Sequence, residues 1–215
     1  MKELLVFHNK KELIDKLISN EDIVLDIGFW GQGKKMESPD WPHRLLKNKA
    51  KDVYGIDLEV DYRKIPIDER GKYFQCAAED FSLEMRFDVV FAGDLIEHLV
   101  NPGLFLDNVK KHIRKNGRLI LTTPNTFSLF LIAGKITRSE PPINSDHTFY
   151  FNRRTLEVLL NKCGWEVEKF GFMYTLDYNL KESLKKKFLN GIYKIFSFFT
   201  SKYYETLVVV AKVKK

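Results

Sequence analysis

Two acids, a run of glycines and two histidines carry the chemistry that can be read from this chain. Val24-Leu-Asp-Ile-Gly-Phe-Trp-Gly-Gln-Gly33 passes from a β-branched run into a glycine-containing loop, and Gly55-Ile-Asp57 follows one strand later. Glycine lets the backbone turn sharply and lets a ligand come close, because a side chain would occupy the same volume. An acid ending the second strand can accept both hydroxyl protons of a ribose, and Asp57 follows Gly28 at roughly the ~20 to 30 residues of a βαβ half. Asp26, one residue inside the end of the first strand, can orient the loop or accept from a ligand's ammonium group. Glu97-His98 and Asp146-His147 carry histidines, side chains able to take a proton near neutral pH, in regions expected near the sheet's ligand edge, with a capping or loop-fixing role as the alternative for each. His43 and His112 read as helix-surface residues, and His8 as a terminal one.

The elements expected to position these residues alternate along the chain. An amphipathic helix over 10–18 precedes a buried strand over 22–27, and a helix over 42–50 follows. Further strand-like runs lie at 52–57, 72–76, 87–92 and 117–122, with a helix over 101–115 whose stripe is Leu104, Leu106, Val109 and Ile113 and which Asn116-Gly117 ends. A helix over 154–163, a strand over 165–170 and the run 206–213 close the pattern, the last two expected as an antiparallel edge pair. Alternation of this kind favours an α/β fold with helices on both faces of a mainly parallel sheet, since parallel strands need crossovers.

Composition bounds the class. The 215 residues are 44% hydrophobic and 30% charged, a globular balance sufficient for one core. No window approaches the ~20 apolar residues of a spanning helix, and charges interrupt the opening stretch, so a cytoplasmic protein is expected. Cys76 and Cys163 stand apart without zinc-site spacing and read as buried thiols, and no metal-ligand set is read. The net charge of +6 concentrates late, where Lys181, Lys185, Lys186, Lys187, Lys194 and Lys202 share a segment with Phe188, Phe196 and Phe199. About thirty residues separate the last two strands, so 177–204 reads as an amphipathic basic insertion in a single domain over 1–215. It packs on the domain's own sheet, covers a greasy acceptor, or makes a peripheral contact with the inner face of a membrane.

Val24-Leu-Asp-Ile-Gly28, Gly55-Ile-Asp57, Ala78-Glu-Asp80, Phe87-Asp-Val-Val90, Asp94-Leu-Ile-Glu-His98, Asn116-Gly-Arg-Leu-Ile-Leu-Thr-Thr-Pro-Asn125 and His147 occur in this order. The set, over about 23–172, resembles class I S-adenosylmethionine-dependent methyltransferases, in particular the small-molecule branch that includes ubiquinone-biosynthesis O-methyltransferases. The resemblance implies a Rossmann-like, mostly parallel sheet of about seven strands with an antiparallel last strand. It implies S-adenosylmethionine as cofactor, with Asp26, Gly28 and Gly31 along the methionine moiety and Asp57 on the ribose. Ala78 and Glu79 would border the adenine, and Gly93 and Asp94 would sit beside the sulfonium. An O-methyltransferase acting on a small-molecule, sugar or lipid-linked acceptor is the expected function, with His98 and His147 as the catalytic candidates. Trp30 and Ala77 depart from the family pattern, which carries glycine and an acid there.

Three other readings stand beside this one. An NAD-dependent sugar-modifying enzyme shares the glycine loop and ribose acid, but none of the nine tyrosines has a lysine four residues on. Nucleic acid is not the expected partner, because Gly93-Asp-Leu-Ile96 replaces the Asn/Asp-Pro-Pro-aromatic tetrad of amino-methylating members. A non-catalytic nucleotide-binding relative of the fold is the third.

Overall fold

The structure, a computed structural model, describes residues 4–30, 38–129, 131–132, 135, 144–174 and 201–214. In chain order its elements are β1 (Leu4–Phe7), α1 (Lys10–Leu17), β2 (Ile23–Ile27), α2 (Pro42–Lys49), β3 (Asp52–Asp57) and β4 (Tyr73–Gln75). There follow β5 (Phe87–Gly93), α3 (Pro102–His112), β6 (Ile113–Pro124), α4 (Arg153–Lys162), β7 (Trp165–Met173) and β8 (Thr206–Val213). They form one eight-stranded sheet in the order β1-β7-β8-β6-β5-β2-β3-β4. β8 is antiparallel to both neighbours, and the other pairings are parallel.

Successive residues of the central strands are buried on opposite faces and split the core in two. Val24, Val89 and Ile120 face α1 and α2 together with Leu13, Ile14 and Leu46. Their neighbours Leu25, Val90 and Leu121 face α3 and α4 with Phe105, Leu106, Val109, Leu156 and Leu160. Successive side chains point to opposite faces, so apolar runs at the sheet centre must be covered twice. Each large side chain withdrawn in this way stabilises the fold by about 1.5–3 kcal/mol.

Local signals fix the helix starts. The side chains of Asn9, Asn101 and Asn152 accept from the backbone N–H groups of Glu12, Leu104 and Thr155, and Asn152 with Thr155 completes a reciprocal box at α4. Pro42 and Pro102 occupy first-turn positions, where no backbone N–H is needed.

Several expectations are corrected. The sheet has one strand more than expected, because Leu4–Phe7 pairs with β7. The terminal antiparallel pair therefore lies inside the sheet and not at its edge. α3 ends at His112, before Asn116-Gly117, and its buried stripe contains Phe105, while Leu104 is 54% exposed. His43 and His112 are buried: His112 accepts at Nε2 from the Leu83 N–H, with Nδ1 3.0 Å from the Asn108 carbonyl oxygen. Both cysteines are half-buried rather than buried. The basic insertion lies outside the described residues except at 201–204. Among the described residues no helix is long and apolar enough to cross a membrane.

Candidate active site

The order of strands reverses between β2 and β5, so the carboxyl ends of β2, β3 and β5 open onto one crevice. A cavity of about 750 Å³ lies there, and its lining includes Asp26, Gly28, Asp57, Ala78, Glu79, Gly93, Asp94, His98 and His147. The structure thus brings together every sequence-predicted site residue that it describes. Gly31 lies outside the described residues.

Gly28 has φ +79°, and a Cβ there would stand 3.2 Å from Leu95 Cδ1. A side chain would be strained in this left-handed conformation and would also narrow the cavity wall. Gly55 serves a different purpose from the close ligand approach that its motif suggests. A Cβ there would lie 2.6 Å from Phe29 Cδ1, so this glycine makes room for the Phe29 ring. Asp57 accepts from the Trp30 N–H at 2.9 Å through Oδ2 and from the Glu59 N–H at 3.2 Å through Oδ1. Each oxygen keeps a further lone pair for a ligand. Trp30 lines the cavity and packs edge-on against Phe29. Ala77, where the family pattern carries an acid, forms an isolated bridge with Asp80.

Past β5 the chain turns sharply at Asp94, whose φ of 53° is the one left-handed value on a residue other than glycine among the described residues. Thr122 and Lys10 hold it there. The Asp94 N–H donates to Thr122 Oγ1, that hydroxyl donates to Asp94 Oδ1, and Lys10 Nζ donates to Asp94 Oδ2 at 2.6 Å. Strain kept in place by several bonds is common at functional sites. Burial works against the Lys10 ammonium, but the Asp94 charge and hydrogen bond, with Glu97 and Asp26 nearby, keep its pKa above the usual value.

The two histidines meet because segment 144–149 is stitched to the turn after β5. The Thr148 and Phe149 N–H groups donate to the Glu97 carbonyl, and the Thr148 hydroxyl reaches the carbonyls of Glu97 and Leu99. His98 and His147 then lie edge to face with centroids 4.6 Å apart. Burial, then the neighbouring His98, lowers the His147 pKa, which favours the neutral ring that can take a proton.

Glu97 was not singled out beyond its place beside His98. It is 1% exposed, and Oε2 accepts from the Thr123 hydroxyl at 2.8 Å. Oε1 is buried with no hydrogen-bond partner among the described residues. Burial, then the Asp94 charge, pushes its carboxyl up to about 8. Ligand-type atoms of Glu97, His98 and His147 all lie within 4.8 Å of one another, a set able to hold a metal ion that the sequence analysis did not assemble. The acid three residues after Asp94 with histidine next to it was the available signal, but the distant third member, His147, becomes a neighbour only through the fold.

A model of the methyltransferase domain matches residues 6–169 of this chain. The ubiquinone biosynthesis O-methyltransferase of Rickettsia akari is 28% identical over 108 residues, 47% of this chain and 43% of that protein. The chain thus spans less than half the length of that relative. Among solved structures, a SAM-dependent methyltransferase from Archaeoglobus fulgidus superimposes with a TM-score of 0.58 at 18% identity, covering 94% of each chain. The 1,6-didemethyltoxoflavin-N1-methyltransferase of Burkholderia thailandensis, with 1,6-didemethyltoxoflavin and S-adenosylhomocysteine bound, gives a TM-score of 0.53 at 17% identity, covering 91% of this chain and 72% of that one.

The cavity fits S-adenosylmethionine. Its volume is that of a cofactor site, Asp26, Asp57 and Asp94 line it, and a Cβ on either Gly28 or Gly93 would press on the wall. The family match also decides between the two nucleotide chemistries that the sequence left open. The chain belongs to the methyltransferase-domain family, in its S-adenosylmethionine-dependent class.

Proposed function

We propose that this protein moves the methyl group of S-adenosylmethionine to a hydroxyl oxygen of a small-molecule, sugar or lipid-linked acceptor, within a single domain over 1–215. The observation that carries this reading is the His98–His147 pair in the same cavity as Gly93 and Asp94. A hydroxyl must lose a proton on methylation, whereas a neutral amine can attack directly, so a neutral histidine at the site favours oxygen. The relatives named for ubiquinone biosynthesis are O-methyltransferases, which supports the same choice.

In this reading Asp57 accepts from the ribose hydroxyls, and Ala78 and Glu79 border the adenine. Asp26, Gly28 and Gly31 follow the methionine moiety, and Gly93 and Asp94 flank the sulfonium. The bound cofactor supplies a methyl already activated on a positive sulfur, so the protein's work is alignment, exclusion of water and proton removal. His147 takes the hydroxyl proton, and His98 packs against its ring and lowers its basicity. The test is mass spectrometry for +CH2 products after incubation with labelled cofactor and a panel of hydroxylated metabolites. His147→Asn should lower turnover by about a hundredfold with cofactor affinity unchanged. An N-methylated product would overturn the choice of oxygen, and undiminished turnover would remove His147 from the chemistry.

A second reading of the same cluster is favoured by Glu97 Oε1, which has no hydrogen-bond partner among the described residues. Two histidines and a carboxylate suit a divalent cation with open positions, which would bind the acceptor oxygen and lower its pKa. Metal analysis of the purified protein, with Glu97→Gln beside wild type and activity measured after chelation, separates a cation from a histidine base.

A further inference from the structure

Behind the cavity wall, Asp26 is tied to residues that the proposed reaction does not use. His43, 1% exposed, sets Nδ1 2.9 Å from Asp26 Oδ2 and Nε2 3.0 Å from the Tyr73 hydroxyl. Three rings hold its imidazole, with centroids of Phe29, Trp41 and Tyr73 at 4.9, 5.1 and 5.3 Å. An ionised carboxylate can only accept, so Nδ1 must donate to Asp26. Burial pushes the Tyr73 phenol pKa up, so that hydroxyl keeps its proton and can donate to Nε2. Nδ1 thus faces the Asp26 carboxylate and Nε2 the Tyr73 hydroxyl, so both ring nitrogens are used.

We propose that His43 is a positioning residue for the cofactor: locked in one tautomer by Tyr73, it keeps the buried Asp26 ionised and fixed in the cavity wall, facing the positive methionine end of S-adenosylmethionine. The inference rests on the assignment of Asp26 to that end of the ligand. A carboxylate this deeply buried is costly unless charge or hydrogen bonds compensate it. The groups acting on it are His43 from α2, Lys10 from α1 and Asp57 from β3. Lys10 is engaged by Asp94, and Asp57 opposes the charge, so the hydrogen bond from His43 is the compensation in direct contact. Tyr73 of β4 stands behind His43, with Glu69 and Asp52 the next charges beyond it.

The pH behaviour follows from the sign of the Asp26 shift. Burial raises its pKa, and the His43 bond opposes that rise. Binding that needs the carboxylate is complete above this pKa and is lost as pH falls through it. Removing the His43 donor raises the pKa further and moves the loss to higher pH.

Calorimetric titration of S-adenosylhomocysteine between pH ~5.5 and ~8.5 tests this on the full chain, with unfolding midpoints measured alongside. His43→Phe keeps a ring among the aromatic neighbours and should bind at least about tenfold more weakly at pH ~6, the deficit shrinking as pH rises. His43→Asn places an amide N–H near the Nδ1 position and should recover most of the affinity. Tyr73→Phe removes the tautomer lock while keeping the ring, and should shift the profile the same way by a smaller step; it carries the test if His43→Phe does not fold. A folded variant with the wild-type profile, or a deficit independent of pH that Asn does not relieve, overturns the relay. If wild type itself fails to bind, the S-adenosylmethionine reading fails and the relay with it.

Discussion

Asp57 separates a fold role from a binding role in one side chain. Its two oxygens already accept backbone N–H groups, from Trp30 at 2.9 Å and from Glu59 at 3.2 Å. Asp57→Ala strands the half-buried Trp30 donor, a cost to stability of about 1–3 kcal/mol. Asp57→Asn can still accept the shorter of the two bonds through its carbonyl oxygen, losing the longer one, so its stability cost should stay below about 1 kcal/mol. Both variants lose the charge, Asn with one acceptor toward the ribose and Ala with both, about 2–4 kcal/mol of binding. At 1.4 kcal/mol per decade that is roughly 30- to 1,000-fold in Kd. Urea denaturation measures the first quantity and calorimetric titration of S-adenosylhomocysteine the second. The expected pattern is a stable Asn variant that binds poorly beside an Ala variant impaired in both. Wild-type binding by Asp57→Asn would place the ribose elsewhere, and equal destabilisation of the two would refute the division of labour between the oxygens.

Gly55→Ala should destabilise by about 1–3 kcal/mol, lowering the melting temperature by several degrees, because its Cβ would meet the Phe29 ring. Adding Phe29→Leu should recover part of that loss in a thermal melt, and additive losses would exclude the clash. At the surface, bonds from Lys16 and His8 hold the Glu12 carboxyl down at about 2. Its contribution is complete above the ordinary carboxylate pKa and is lost as pH falls through about 2. Glu12→Gln should therefore cost under about 1 kcal/mol at neutral pH, for an exposed pair, and the difference should vanish in strong acid; a difference independent of pH would refute the linkage.

Inner strands such as β2 and β8 were legible because β-branched runs bounded by glycine or polar turns leave little alternative. The residues assigned to the cofactor share one cavity because they stand at strand ends, where the fold class itself places ligands. What escaped is informative. His43 was counted as polar, yet it sits three residues before Leu46, on the buried side of α2, and His112 lies three residues after Val109 in the same relation. Helical spacing could have flagged both, but not the partners, since Asp26 and Tyr73 are 17 and 30 residues from His43. For α3 the stripe held at Leu106, Val109 and Ile113 and failed only at Leu104, where Phe105 is the buried residue. β1 was hidden because four residues at a sheet edge leave almost no periodicity, and only pairing with β7 gives them shape.

The position of β8 has a consequence for how the chain acquires its fold. Among the described residues, β1 and β7 reach the other strands only through β8, which lies between β7 and β6. During synthesis the sheet from β4 to β6 can assemble from nearby segments, while β1, made first, must wait for β7, and both must wait for β8 to emerge. Closure over such separations is slow, because the entropy of bringing the ends together is spent before any contact rewards it. Until then the edge of β6 that β8 will cover is open to pairing with another chain, and conditions that delay the arrival of β8 should favour aggregation there.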